Sequence, residues 1–403
     1  RQMCIRDRYI HSAYRTNDLI GNWFAKTRDY CRSTGGDAWF AIKFTHRQVQ
    51  DEDIIIGNSF SCFIHNLLYQ KFGLQDMASY LSTKRFLRQV DKLKPDIIHC
   101  HVVNDCFLNM KLFANYVNEH NIKVVWTFHD ARVLTGQCPC PCYNGCVQWQ
   151  DKCVRCPEGD KFLYPEKTIV NMVSVVHKFR KKTIGAIRNL TVTTPSKWMA
   201  SLVKRSYLKD KRCVVINNGI NLDVFRPSDN DIRNKLGIPK DAKLLLAVGN
   251  PIGKLKGKEY LIRLAHELPE NHDLVMVGCL KEDVEVLNKM DRVHAFERVD
   301  RDELIAFYSS ADLFVNPTLA DNFPTVCIEA QACGCPIVAF DSDGTTETIA
   351  PKGKVVPRGN YEAMYDAIVN FKYKGAQEDS IDFAQHYNQN ECIKKYVELY
   401  KTL

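Results

Sequence analysis

No stretch of this 403-residue chain approaches the roughly 20 consecutive apolar residues that a membrane-spanning helix needs. No short apolar segment behind a basic start marks an export signal either. These two absences set aside a helical membrane protein and a secreted one, and the expected location is the cytoplasm. Internal repeats and low-complexity tracts are also missing. Charge of one sign is not in large excess: 55 Lys and Arg against 47 Asp and Glu give a net charge of +8, a modest leaning toward anionic partners. What remains is the composition of a globular chain, 45% hydrophobic and 25% charged, with a length that fits two domains of roughly 200 residues better than one core.

Short β-rich runs alternate with helical patterns, which argues for parallel sheets built from βαβ units. In the first half, strands are expected at Ala38 to Lys43, Asp96 to Cys100, Lys123 to Phe128, Leu190 to Thr194 and Cys213 to Asn217. Helices are expected near Asp18 to Arg32, Thr83 to Lys92, Leu108 to Glu119 and Ser196 to Ser206. The turn formers of Asn217 to Pro227 then interrupt the pattern. A second alternation follows, with strands at Leu244 to Val248, Leu274 to Val277 and Val293 to Phe296 and helices at Lys258 to Leu268 and Asp302 to Ser310. Two helical segments close the chain, Tyr361 to Phe371 and Asn390 to Leu403. The expected division is a first domain over 1–217, a second over 218–385 and a terminal helix over 386–403. Arg1 to Arg8 shows no apolar strand and no glycine-rich turn, although a Rossmann-like half opens with both. The first strand is therefore expected to be missing, through truncation or foreign sequence.

The stretch Asn316 to Glu347 is the most specific one. With the short apolar strand before it (Asp312 to Val315), it reads as a polar loop with Pro317 and Pro324, a helix, a buried strand (Pro336 to Phe340) and a second polar loop. In such a unit the loop and the helix N-terminus sit at the carboxyl edge of a parallel sheet, where open α/β folds bind ligands. Asp321 in the loop and Glu329 about one turn into the helix are eight residues apart, so both can face one cleft. An Ala-Gln-Ala-Cys-Gly-Cys-Pro run ends at Pro336, and Asp343-Gly-Thr-Thr-Glu347 follows.

These residues resemble the retaining, nucleotide-sugar-dependent glycosyltransferases of family 4. That family has two acids eight apart, then Ala-x-Ala-x-Gly-x-Pro, then Gly-Gly-x-x-Glu. The chain departs in having Asp321 as the first acid and Asp343 in place of the first glycine. Asp321-Asn-Phe-Pro324 is similar to a subgroup that builds bacterial polysaccharides of the colanic-acid type. The resemblance implies a GT-B fold, two Rossmann-like α/β domains facing across a cleft, with the last helix returning to the first domain. It also implies transfer of a sugar from a UDP- or GDP-sugar to a glycan or lipid-linked acceptor.

A departing nucleoside diphosphate needs cations and backbone amides around it. Val248 to Gly257 supplies a glycine-rich turn beginning at Gly249, with Lys254, Lys256 and a following helix N-terminus. By resemblance Lys254 and Lys256 bind the diphosphate, with Asn250 standing where the family has Arg. No catalytic metal is expected. Glu329 is the candidate for the ribose hydroxyls, because a carboxylate accepts two hydrogen bonds from a vicinal diol; its ordinary alternative is an acid favoured by the helix dipole. Asp321 is the candidate for donor-sugar hydroxyls, beside the loop backbone of Phe323, Pro324, Thr325 and Val326, in which Pro324 contributes no N–H. His129, at the end of the Lys123 to Phe128 strand, occupies a position where the family has a sugar-contacting His, although a strand-end His is more often structural. His101 is a weaker candidate, and Asn104 is equally a turn former.

Six cysteines crowd Cys138 to Cys156 within a total of seventeen. With no export signal, thiols are expected rather than disulfides, and a tetrahedral Zn²⁺ site is the chemical default. Similar glycosyltransferases carry a Cys…Cys…Cys-x-x-Cys insertion here, which favours Cys138, Cys146, Cys153 and Cys156 as the metal ligands. Cys140 and Cys142 leave that choice open, and plain buried or redox-active thiols are the alternative. The basic stretch His177 to Arg188 can face the inner membrane surface as a peripheral contact, although a solvated helix over the core explains it as well. Two other functions compete: a nucleotide-sugar epimerase or phosphorylase-like enzyme of the same fold, and a zinc-containing nucleic-acid-binding protein. The second needs cations and aromatics around the metal. Cys138 to Cys156 holds only Lys152 and Arg155 as cations, and no nucleic-acid partner is expected.

Overall fold

A computed structural model of the chain describes residues 6–11, 26–27, 29–33, 37–43, 54–103, 106–154, 156, 168–229, 232–249 and 252–403. It forms two compact units. One comprises Arg1–Ile216 with Ile393–Leu403, the other Asn217–Cys392.

The first unit is built on a seven-stranded, all-parallel sheet in the order β3-β2-β1-β4-β5-β6-β7. Its strands are β1 (Arg6–His11), β2 (Asp37–Lys43), β3 (Ile54–Ile56), β4 (Ile97–Cys100), β5 (Lys123–Thr127), β6 (Leu190–Thr194) and β7 (Arg212–Val215). The described helices of this unit include α1 (Ser59–Phe72), α2 (Tyr80–Leu93), α3 (Met110–Glu119), α4 (Val173–Thr183) and α5 (Lys197–Lys204). Every residue of β4 and β6 is buried, as strands covered on both faces require.

Strand β1 corrects the expectation of a missing first strand. It pairs with β2 on one side and β4 on the other, in the middle of the sheet. Backbone pairing on both edges over Asp7–Ile10 gives the peptide groups of the segment their partners, and that outweighs the polar residues that hide it in the sequence. Helix α1 was also not foreseen. It is closed at its start by a capping box between Asn58 and Ser61 and at its end by left-handed Gly73.

The second unit carries a six-stranded parallel sheet in the order β10-β9-β8-β11-β12-β13. Its strands are β8 (Lys243–Val248), β9 (His272–Val277), β10 (Val293–Phe296), β11 (Leu313–Asn316), β12 (Ile337–Asp341) and β13 (Lys354–Pro357). Around it lie α6 (Ile232–Leu236), α7 (Lys258–His266), α8 (Lys281–Leu287), α9 (Arg301–Ser310), α10 (Thr325–Ala332), α11 (Tyr361–Val369) and α12 (Ala376–Gln385). The last helix, α13 (Gln389–Lys401), begins in the second unit and ends in the first. Strand order reverses between β8 and β11. Connections there leave toward opposite sides, and a crevice opens at the carboxyl ends of the strands.

Candidate active site

The loops after β8 and β11 meet at this switch point. Gly257 makes the meeting possible: its φ is +76°, and a Cβ there would lie 2.1 Å from the Pro317 carbonyl oxygen. The Leu319 amide donates to the Leu255 carbonyl at 2.9 Å, fastening one loop to the other. Gly278, at φ +95°, gives the same close approach to the Gly249 carbonyl, where a Cβ would stand 1.9 Å away.

Once the loops are fastened, Lys256 forms an ion pair with the Asp321 carboxylate. Asp321 Oδ1 also accepts from the Phe323 amide at 3.2 Å, and its carbonyl accepts from Gly344 at 3.0 Å. Lys254, on the same short turn (Lys254–Lys256), is exposed. Asn250 lies outside the described residues. Behind Phe323, Pro324 caps α10 without a side-chain hydrogen bond. The first amides of a helix have no intrahelical acceptor, so those from Thr325 and Val326 onward are the fixed donors that a helix start offers an anion.

Glu329 does not join that network. It faces α9, where Tyr308 donates to its Oε2 at 3.3 Å, and it is only 5% exposed. Burial pushes its carboxyl up to about 7, against the opposing hydrogen bonds of Tyr308 and Thr325 and the charge of Arg301. Tyr308 is a member of the site that sequence reasoning missed. An aromatic on the preceding helix is indistinguishable in sequence from an ordinary core residue.

Asp343 has a left-handed backbone, φ +50°, which suits the glycine it replaces in the family pattern. Its Oδ1 lies 3.7 Å from Arg358, and its Oδ2 is buried with no hydrogen-bond partner among the described residues. Burial raises this carboxyl to about 6, with Arg358 lowering it and nearby Asp321 raising it.

His129 belongs to the first unit, just beyond β5. Its Nε2 is 3.0 Å from His101 Nδ1, and the two rings stack at 5.3 Å. Burial lowers His129 to about 4, although Asp130 opposes the shift, so the ring is neutral at physiological pH. Burial would raise the Asp130 carboxyl, but the charge and hydrogen bonds of Arg132 outweigh it and hold it low. His99 is fixed between Tyr400, 2.7 Å away, and Thr127, 2.8 Å away. Asn104 lies outside the described residues.

The cysteines Cys138, Cys146, Cys153 and Cys156 are free thiols. Burial pushes Cys138 up to about 12 and Cys153 to about 11, and each is raised further by its neighbours, Cys146 and Cys156 among them. These four therefore gather, and their donor chemistry suits zinc. Yet among the described residues no group of three or more Cys, His, Asp or Glu is closed to metal-binding geometry. The basic stretch beginning at His177 lies on α4, with Val176, His177, Arg180 and Thr183 turned inward and Lys178, Lys181 and Lys182 outward. No described helix is long and apolar enough to cross a membrane.

Comparison with known proteins follows this division of the chain. Residues 64–224 match the family model described as Glycosyltransferase Family 4, and residues 228–381 match Glycosyl transferases group 1. The Escherichia coli (strain K12) protein WcaC, assigned as a glycosyl transferase of colanic acid biosynthesis, is 25% identical over 339 residues, 77% of each chain. Among solved structures, sucrose-phosphate synthase from Thermosynechococcus elongatus superposes with a TM-score of 0.69 at 18% identity, covering 98% of each chain. Anabaena Alr3699/HepE in complex with UDP superposes with a TM-score of 0.65 at 14% identity, covering 99% of this chain and 100% of that one. Two parallel sheets with the strand order of Rossmann halves, and family models that meet at the boundary between them, lead to one conclusion: this chain belongs to the GT-B glycosyltransferases of family 4, WcaC-like in type.

Proposed function

We propose that the enzyme is a retaining glycosyltransferase that moves one sugar from a UDP- or GDP-sugar to a glycan or lipid-linked acceptor in the assembly of a bacterial surface polysaccharide. The Lys256–Asp321 ion pair carries this reading, because it joins the glycine-rich loop to the first acid of the motif. A diphosphate arriving at Lys254 and Lys256 takes over the lysine charge, and Asp321 is released to accept hydrogen bonds from sugar hydroxyls. The amides of Phe323, Thr325 and Val326 complete the anion site together with Gly249 and its turn. Glu329 is assigned to the ribose diol, and His129, as a neutral imidazole, to a sugar hydroxyl.

In the transfer, the bond from the anomeric carbon to the phosphate oxygen breaks and the acceptor oxygen bonds to the same face of that carbon. The acceptor proton passes to the departing phosphate. No protein nucleophile is assigned. The lysines and helix amides stabilise the charge that grows on the diphosphate. The relative WcaC, by its assignment to colanic acid biosynthesis, supports the polysaccharide pathway, and UDP bound to HepE supports a nucleotide donor.

Calorimetric titration with UDP and, separately, GDP tests the assignment. One of them is expected to bind in the micromolar range and to lose that binding in Glu329→Ala. Absence of binding to either by folded protein overturns the donor site.

A further inference from the structure

Asp343 stands where three loops come together. Strands β11, β12 and β13 run in register, Asn316 beside Ala339 and Asp341 beside Pro357, so the residues that follow them meet at one carboxyl edge. Gly344 donates to the Asp321 carbonyl at 3.0 Å, which ties the loop after β12 to the loop after β11. Arg358, just past β13, lies 3.7 Å from Asp343 Oδ1 and donates to the Leu319 carbonyl at 3.5 Å. The far end of the β12 loop is fixed from α10. There the buried Gln331 side chain donates to the Thr348 carbonyl and accepts from the Ala350 amide, both at 2.7 Å. Asp343 therefore sits on a segment clamped at both ends.

Among the described residues, Asp343 alone combines a left-handed backbone with a buried side-chain atom that has no hydrogen-bond partner. Its side chain is 3% exposed. Both features cost stability and glycine would remove both, so the fold by itself gives no reason for the carboxyl. Burial raises it to about 6, which leaves it ionised at neutral pH and able only to accept hydrogen bonds. Nearby Asp321 is a second acceptor, so a ligand shared by the two must bring two donors. Lys256 and Arg358 already answer the two negative charges, which removes the attraction for a metal ion or an amino sugar. A neutral pair of adjacent hydroxyls supplies the two donors without adding charge.

We propose that Asp343 is a specificity-determining residue for the donor sugar: with Asp321 it accepts hydrogen bonds from adjacent hydroxyls on one edge of a neutral hexose, and its fixed position selects their configuration. Asp321 takes one hydroxyl once Lys256 turns to the diphosphate, and Asp343 Oδ2 takes the other. This role rests on the donor site proposed above and adds to it the residue that reads the sugar. A sugar whose hydroxyls on that edge are inverted, missing or acylated leaves the buried oxygen unpaired and is selected against.

Calorimetry of the full chain with UDP-glucose, UDP-galactose, UDP-N-acetylglucosamine, GDP-mannose and GDP-fucose, beside UDP and GDP alone, tests it. The wild-type chain is expected to separate the best-bound from the worst-bound sugar of its preferred base by roughly tenfold or more. In Asp343→Gly, which relieves the backbone and keeps the fold, that spread is expected to shrink to about threefold or less, while affinity for the bare nucleotide stays within about twofold. Asp343→Asn keeps the volume on a backbone that Asn tolerates, and it is expected to narrow the spread too, which assigns the effect to the carboxylate rather than to the loop. Three results overturn the proposal: no spread in the wild-type chain, an unchanged spread in either variant, or an equal loss of bare nucleotide and nucleotide sugar. Folded wild-type chain that binds neither UDP nor GDP marks failure of the donor site itself, and the role of Asp343 falls with it. Nucleotide binding with an unchanged spread marks failure of this role alone.

Discussion

Two carboxyls of the second unit, Glu329 and Asp343, are both raised by burial, and replacing either relieves a cost of the folded chain. Glu329, raised to about 7 by burial, keeps its proton in the folded chain where an unfolded carboxyl has lost it. Stability is therefore drawn down as pH rises from about 4.5 to 7, by an amount on the order of 3 kcal/mol when complete. Glu329→Gln removes the titrating group while keeping a partner for Tyr308, so its melting temperature relative to wild type is expected to be higher at pH 8 than at pH 4.5. A difference independent of pH would mean that Glu329 does not titrate as its burial requires. Asp343 bears a left-handed backbone and an unsatisfied buried oxygen. Glycine relieves both, and Asp343→Gly is expected to raise stability by roughly 1–3 kcal/mol in denaturant unfolding, net of the lost approach to Arg358.

At the scale of elements, the site depends on two loops held at backbone contact. Gly257→Ala inserts a methyl 2.1 Å from the Pro317 carbonyl at a φ that side chains avoid. The loops must separate, which pulls Lys256 from Asp321. A fall in nucleotide affinity of roughly tenfold or more is expected by calorimetry, with the fold retained by circular dichroism. An unchanged affinity would detach the loop contact from binding. The cysteine segment gives the other test at this scale. Four gathered thiols in a stretch with few apolar residues are expected to close around about one Zn²⁺ per chain. Elemental analysis of the purified protein decides it, and a stable, reduced, metal-free chain removes the metal from the account.

The elements themselves were legible to different degrees. The strands Leu190–Thr194 and Val293–Phe296 are legible to the residue, the first as a buried run rich in β-branched residues and the second by its alternation of buried Val293 and Ala295 with half-buried His294 and Phe296. Strand β1 was missed because its pairing, not its side chains, makes it a strand. Helix α1 is hidden because its apolar spacing, Phe60, Phe63, Ile64 and Leu67, lies on the exposed side while His65 and Tyr69 are its buried residues, the reverse of the usual pattern. Of the site, the Asp321 loop and the lysine turn were legible as spacing. The face that Glu329 presents was not, since eight residues of separation fix a distance along the chain but not which neighbour, here Tyr308, fills the space beside the carboxyl.

At the scale of the whole molecule, the end of the chain belongs to the fold of its beginning. Residues 393–403 group with the first unit, and two of them reach its buried strand ends. Tyr400 bonds His99 at 2.7 Å, and Tyr396 lies 3.1 Å from Thr127, which in turn contacts Thr193. His99 and Thr127 are both buried, so removing their partners leaves polar atoms without compensation and opens the space of two large rings. Ending the chain after Cys392 should therefore lower the melting of the first unit by several degrees or abolish it. The second unit holds residues 217–392 by its own core and should melt as before. Differential scanning calorimetry separates the two: one transition displaced and one unmoved is the expected record. A common shift of both would show that the two units share a single cooperative transition, with the terminal helix stabilising the chain as a whole.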